Sequence, residues 1–248
     1  LALYDSRHET VPQKTRIHQF AEMPLNWLGY KLVYLDVNGP LPPVVEMGRY
    51  RGLFTWFIEP MAAVEKYLPW LDSVTAAGTR FAFLSELVPN EPPNLERTAS
   101  RILARLGLER TNQYASVTRK ARITAYDRAM VGFERPLDKA LPDFRIYTAI
   151  PDKAVVHLSA SVALREGTFD AALVTTSPAG GYASDEYTVF NEPNTEKNTW
   201  ILNPFAFFKQ VFGAEHMPVP DVTTLMGRRI YFSHIDGDGW NNVSEIEG

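Results

Sequence analysis

Residues 50–87, YRGLFTWFIEPMAAVEKYLPWLDSVTAAGTRFAFLSEL, decide the fold class of this chain. The two ends of the stretch are short apolar runs rich in aromatic residues, a pattern that is typical of buried strands. The segment between them has the apolar spacing of a helix, which we expect to be interrupted at Pro69 because proline cannot donate the helical hydrogen bond. A strand, a helix and a second strand in this order predict a parallel β-α-β unit.

The same alternation occurs upstream of this unit. LALYDS (1–6) and KLVYLDV (31–37) predict two further strands, and the segment 16–30 between them has helical apolar spacing that Pro24 should kink. The resulting order predicts an α/β fold with a mostly parallel, helix-covered sheet of the Rossmann-like or flavodoxin-like kind. The residues expected in its central strands are Leu3, Val33, Phe54 and Phe83.

The first domain is predicted to span residues 1–107, as a Rossmann-like α/β unit. Its last helix carries apolar residues on one face and arginines on the other, and glycine at position 107 is a natural helix stop. Such a row is usually a solvated face rather than a ligand site, and we interpret Arg97, Arg101 and Arg105 in this way.

The character of the sequence changes after this domain. Residues 108–195 consist of β-rich segments separated by Pro, Asp and Gly, which predict a β-rich insertion in the sheet or an extension of it. Residues 196–229 predict a helix that ends at Gly213 and a proline-braced linker that returns to the sheet, and residues 230–248 begin as one more strand.

Composition and missing motifs exclude several classes of function. The net charge of −4 offers no basic field for nucleic acid, and no apolar run reaches the roughly 18 residues that span a bilayer. The absence of cysteine excludes disulfides, thiolate metal sites and a glutaminase-type nucleophile. The glycine fingerprints of dinucleotide and phosphate sites are missing, and so is the G-x-S-x-G motif of serine hydrolases.

Acidic residues follow the ends of the predicted parallel strands, which is where ligands of α/β sheets usually bind. They are Asp5, Asp36, Glu59 and Glu86. Helix capping and loop solvation would explain these carboxylates equally well. We interpret His157, within the apolar run AVVHLSASV, as a strand residue with satisfied hydrogen bonds.

The last residues, YFSHIDGDGWNNVSEIEG (231–248), raise the question of a metal site. If the strand continues, its alternation places His234, Asp236 and Asp238 on one face. Two carboxylates held close together suit a divalent metal, with one aspartate left over as a base. An inert Asp-Gly turn is the alternative. A calcium loop starting at Asp236 fits poorly, because Trp240 stands where an oxygen ligand is expected.

The run PDVTTLMGRRIYFSHIDGDGW (220–240), preceded by TWILNPFAFFKQVF (199–212), resembles the approach to the deacetylase domain in PelA-type exopolysaccharide-modifying proteins. The N-terminal half, including segments 9–38 and 50–57, is similar to the Rossmann-like or amidotransferase-like domain that precedes the deacetylase there. The resemblance extends over the whole chain, and its most specific part is HIDGDG.

The resemblance implies roles for the residues of this motif. Asp236 corresponds to the catalytic base and Asp238 to a ligand of a zinc or cobalt ion. His234, which the strand alternation places on the same face, would add a nitrogen ligand to this metal. The spacing here is Asp-Gly-Asp instead of the usual adjacent pair, and the histidine pair that completes the metal site is absent from the sequence. We therefore expect the parent protein to continue past Gly248 and this chain to bind metal only weakly.

The function implied is that of a non-catalytic or glycan-handling α/β domain of a periplasmic or secreted polysaccharide deacetylase. Its partners would be an amino-sugar exopolysaccharide and other proteins of an export system, and the chain by itself would be inactive. Two alternatives remain open. One is an enzyme domain that binds a small molecule or sugar through Asp5, Asp36 and Glu59, and the other is a protein-interaction module of an export machine.

Overall fold

The computed structural model describes residues 1–116, 121–137, 141–193, 195 and 197–215, together with the backbone of 224–225 and 228–229. The α-helices of this described part are α1 Glu22–Trp27, α2 Val64–Ala76, α3 Glu96–Arg105 and α4 Pro204–Phe212. Its strands are β1 Ala2–Tyr4, β2 Tyr34–Asp36, β3 Leu53–Thr55, β4 Phe81–Leu84, β5 Leu108–Ala115, β6 Arg122–Tyr126, β7 Phe144–Ala149, β8 Val155–Leu164, β9 Gly167–Ser177, β10 Gly180–Ala183, β11 Val189–Asn191, β12 Asn198–Trp200, β13 Thr224–Leu225 and β14 Arg228–Arg229.

A central sheet of 8 strands organises the molecule, in the order β2-β1-β3-β4-β10-β9-β8-β6. The neighbouring pairs β2-β1, β1-β3, β3-β4 and β4-β10 are parallel. The pairs β10-β9, β9-β8 and β8-β6 are antiparallel, and smaller antiparallel sheets lie outside the central one. The predicted α/β fold with a large, mostly parallel, helix-flanked sheet and a β-rich extension is therefore confirmed.

The parallel half is covered on both faces, which explains its continuous apolar runs. One face packs into a core with α1 and α4 and buries alternate residues such as Ala2, Phe54 and Ala82. The other face packs against α2 and α3 and buries the strand residues that alternate with the first set, such as Leu53 and Phe83. Because successive side chains of a strand point to opposite faces, each short strand contributes to both cores.

The β-rich segment joins the parallel half through β10. This strand lies beside β4, with Gly180 opposite Phe81 in the register. Gly180 has a φ of +148°, and a Cβ atom there would lie 1.7 Å from the backbone oxygen of Phe81. Only glycine permits this approach of the two backbones, so the pairing of β10 with β4 requires glycine at position 180.

Two expectations about the parallel half are wrong. Helix α2 continues through Pro69 instead of stopping there, because Leu68 and Leu71 are fully buried on either side of it and hold the helix against the sheet. Val33 precedes β2, the outermost strand, and its side chain is 39% exposed. A local apolar run does not distinguish an edge strand from a central one, whereas Leu3, Phe54 and Phe83 do lie in interior strands.

The arginine row of α3 is more than a solvated face. Arg105 donates to Asp72 of α2 at 2.6 Å, and Arg101 donates to the same carboxylate at 3.0 Å through Nε. Burial by itself would raise the pKa of Asp72, but the hydrogen bonds from Arg101 and Arg105 hold it below its usual value. The two arginines therefore join α3 to α2.

Candidate functional site

The parallel strands β1 and β3 are neighbours in the sheet, and a cleft of about 260 Å³ opens at their carboxyl ends. We call it the strand-end cleft. Two of the carboxylates predicted from the sequence, Asp5 and Glu59, line it. Its lining within the described residues is Asp5, His8, Glu9, Lys14, Arg16, Trp56, Phe57, Ile58 and Glu59.

Asp5, which directly follows β1, is the most deeply buried carboxylate of the cleft, with 3% of its surface exposed. Its Oδ1 accepts hydrogen bonds from the backbone N–H of Arg7 at 3.0 Å and from Nδ2 of Asn38 at 2.7 Å. Its Oδ2 is also buried, and among the described residues it has no hydrogen-bond partner. The carboxylate is thus fixed through one oxygen and unsatisfied at the other.

Asp36, at the end of β2, has a different role. Its Oδ1 accepts from the backbone N–H of Ser6 at 3.2 Å and from the backbone N–H and Nδ2 of Asn38, both at 3.0 Å. Burial alone would raise the pKa of Asp36, but these hydrogen bonds hold it below its usual value. Asp36 is not in the described lining of the cleft. It accepts a hydrogen bond from Nδ2 of Asn38, which also donates to Asp5, and so it positions the amide that contacts Asp5.

Glu9 adds a carboxyl group whose pKa is raised above its ordinary value. Its Oε1 accepts from the backbone N–H of Arg16 at 2.9 Å. Burial is the main cause that raises the pKa of Glu9, and the negative charge of Asp5 acts in the same direction. A carboxyl group with a raised pKa in a cleft is common at functional sites.

Arg16 and Trp56 form one wall of the cleft, and both contact Asp185, which lies outside the described lining. Its guanidinium lies 4.7 Å from the centroid of the Trp56 ring, and its Nη2 donates to Oδ1 of Asp185 at 3.0 Å. Nε1 of Trp56 donates to the same oxygen at 2.6 Å. A cation over an aromatic face with a shared carboxylate makes a rigid polar partition.

A second cleft, of about 580 Å³, shares Arg16 with the strand-end cleft and also has Asp185 in its lining. Glu186 and Phe190 are among its residues. The pKa of Glu186 is raised, mainly by burial and secondly by the charge of Asp185. The two clefts therefore have the Arg16 side chain in common.

Sequence reasoning missed Arg16, Trp56 and Asp185. Arg16 and Asp185 are 169 positions apart in the chain, and their contact depends on the insertion of β10 beside β4. A signal was nevertheless present, since Asp185 follows β10 as the other acidic residues follow their strands. Recognising it required knowing that β10 belongs to the parallel half.

Glu86 lies at the end of β4 and outside the described lining of both clefts. Its Oε2 forms an ion pair with Nη2 of Arg145 on β7, at a distance of 3.0 Å. The preceding residue, Ser85, has a φ of +84°, which is uncommon for a residue other than glycine. Glu86 therefore ties the small β5-β7 sheet to the central one.

His157 lies on β8, in the antiparallel half of the sheet. Its Nδ1 is 2.8 Å from Oδ2 of Asp127, and its Nε2 is 2.8 Å from Oγ1 of Thr176. Oγ1 of Thr176 in turn donates to Oε1 of Gln210 on α4 at 3.2 Å. The interpretation of His157 as a buried strand residue with satisfied hydrogen bonds is confirmed.

His234, Asp236 and Asp238 lie outside the described residues, and their predicted roles stay predictions. In the part of the chain that the structure does describe, no group of three or more His, Asp or Glu residues could hold a metal ion.

Comparison with known proteins adds no identification. No protein-family model matches the chain, and no curated protein is significantly similar to it. Over the described ranges, no helix has both the length and the apolar content needed to cross a membrane. The strand-end cleft is therefore the structural observation on which a function can be argued.

Proposed function

We propose that this chain is the glycan-handling α/β domain of a larger extracytoplasmic deacetylase that acts on an amino-sugar polysaccharide, and that the strand-end cleft binds the sugar. The observation that supports sugar binding is the position and chemistry of this cleft, and the deacetylase context rests on the resemblance of the HIDGDG motif. It lies at the carboxyl ends of parallel strands, where α/β sheets bind their ligands, and Asp5, which lines it, has a buried oxygen without a partner among the described residues.

The side chains around Asp5 suit a sugar. Hydroxyl and amide groups of a sugar both donate and accept hydrogen bonds, and its ring faces are apolar. Asp5 and Glu59 offer acceptors, Lys14 offers a donor, and Phe57 supplies apolar surface. The second cleft, which shares Arg16, adds room for a further sugar unit of a chain.

In this proposal, binding and chemistry belong to different parts of the parent protein. Asp236 would act as the base, and Asp238 and His234 would hold the metal ion, which polarises the acetyl carbonyl and activates water when it is bound. These residues would need the rest of a catalytic domain around them. The α/β domain would supply binding and orientation of the polymer.

Calorimetric titration of short amino-sugar oligomers into the 248-residue chain tests the proposal. We expect saturable binding that Glu59→Gln weakens roughly five-fold, because an exposed charged hydrogen bond contributes on the order of 1 kcal/mol. Glu166→Gln, an exposed change in the turn between β8 and β9, is the matched control and should bind as the unmodified chain does. Absence of binding, or equal weakening by both variants, would contradict the proposal.

A further inference from the structure

The buried oxygen of Asp5 is the starting point. A buried carboxylate oxygen without a partner costs free energy, and a charged donor satisfies it better than a neutral one. Oδ1 of Asp5 is already engaged by Arg7 and Asn38, so Oδ2, which is buried, is the oxygen of this cleft-lining side chain that has no donor among the described residues. The described residues of the cleft thus contain an acceptor that lacks a donor.

The cations of the cleft do not supply that donor. Arg16 is committed to Asp185 and stacked on Trp56. His8 is exposed, and its Nε2 lies 2.9 Å from the backbone oxygen of Pro60. Lys14 is exposed at the rim. Because the charge of Arg16 is balanced by Asp185, the carboxyl groups of the lining outnumber its remaining lysine.

We propose that the strand-end cleft recognises the free ammonium group of a de-N-acetylated amino sugar, with Asp5 as its principal acceptor and Glu59 as a second one. This inference rests on the proposed function and specifies its ligand. An ammonium group carries a positive charge and three N–H donors, whereas an acetamide carries no charge and one N–H donor. The acetamide also adds an acetyl group that a cleft of about 260 Å³ must accommodate.

The consequence concerns the division of labour in the parent protein. A cleft that prefers the free amine binds the product of deacetylation more tightly than its substrate. The domain would retain polymer that has already been processed and would release or ignore fully acetylated stretches. Charge-assisted recognition of this kind weakens with added salt, because part of the attraction is screened.

The test compares two oligomers of equal length, one fully N-acetylated and one fully de-N-acetylated, by calorimetry on the whole 248-residue chain. We expect the free-amine oligomer to bind about ten-fold more tightly or better, as typical of a charge-assisted hydrogen bond. Asp5→Asn should abolish this preference, Glu59→Gln should reduce it, and Glu166→Gln should leave it unchanged. Thermal unfolding establishes that each variant is folded.

Each outcome decides the inference. Equal affinity for the two oligomers, or tighter binding of the acetylated one, would overturn the recognition of the amine while leaving a sugar-binding function in place. No binding of either oligomer would overturn both. If Asp5→Asn does not fold, the Glu59→Gln variant alone tests the recognition of the amine. An undiminished preference of that variant for the free-amine oligomer would then contradict the inference.

Discussion

At the residue scale, the contact between Asp127 and His157 predicts how stability depends on pH. The hydrogen bond from His157 is the main cause that lowers the pKa of Asp127 below its ordinary value of 3.8 in the folded chain. A group with a depressed folded pKa stabilises the fold above its unfolded pKa, and this contribution is lost as the pH falls through the folded value. Asp127 therefore stabilises the fold at neutral pH and ceases to do so in acid.

Asp127→Asn should accordingly lower the free energy of unfolding at pH 7 by no more than about 1 kcal/mol, because the side chain is 41% exposed and its charge is screened. The loss should shrink when the pH falls below 3.8. Urea unfolding at both pH values measures the difference. Asp170→Asn, an exposed change on β9, is the control. A loss of equal size at both pH values would contradict the assignment of the effect to the charge.

At the scale of elements, the pairing of β4 with β10 depends on Gly180. Gly180→Ala should cost several kcal/mol or prevent folding, because its Cβ atom would lie 1.7 Å from the backbone oxygen of Phe81. Gly167 is a matched control, since its φ of +143° is close to the +148° of Gly180 and nothing lies within 4 Å of its Cβ position. Urea unfolding of both alanine variants separates the clash from the backbone strain. Equal losses in the two variants would show that the close approach is unimportant.

The elements also show where sequence patterns are informative. The parallel half was predictable because each of its strands and helices is marked by a local apolar run and by its order in the chain. The position of β10 in the sheet could not be predicted from the sequence. Its pairing with β4 joins residues about a hundred positions apart and depends on a backbone contact at Gly180. The continuity of α2 through Pro69 was missed for a related reason, since burial of its neighbours outweighs the lost hydrogen bond.

At the scale of the whole molecule, part of the candidate site follows from the polarity of the strands. Because parallel strands end at one edge of a sheet, their order in the sequence is enough to predict that Asp5 and Glu59 lie at the same edge. The partition of Arg16, Trp56 and Asp185 could not be predicted, because it joins residues on both sides of the β-rich extension. The unsatisfied oxygen of Asp5 likewise arises from three-dimensional packing and from no local motif.

The central claim is that the strand-end cleft binds an amino sugar. Backbone amide NMR of the isotopically labelled chain, titrated with a de-N-acetylated amino-sugar oligomer, tests it most directly, because it locates the ligand without a substitution. The account predicts that the largest shift changes fall on the loops that contain Asp5, Glu9, Arg16 and Glu59, with small changes around His157 in the antiparallel half. A spectrum that does not change, or changes centred on the antiparallel half, would contradict it.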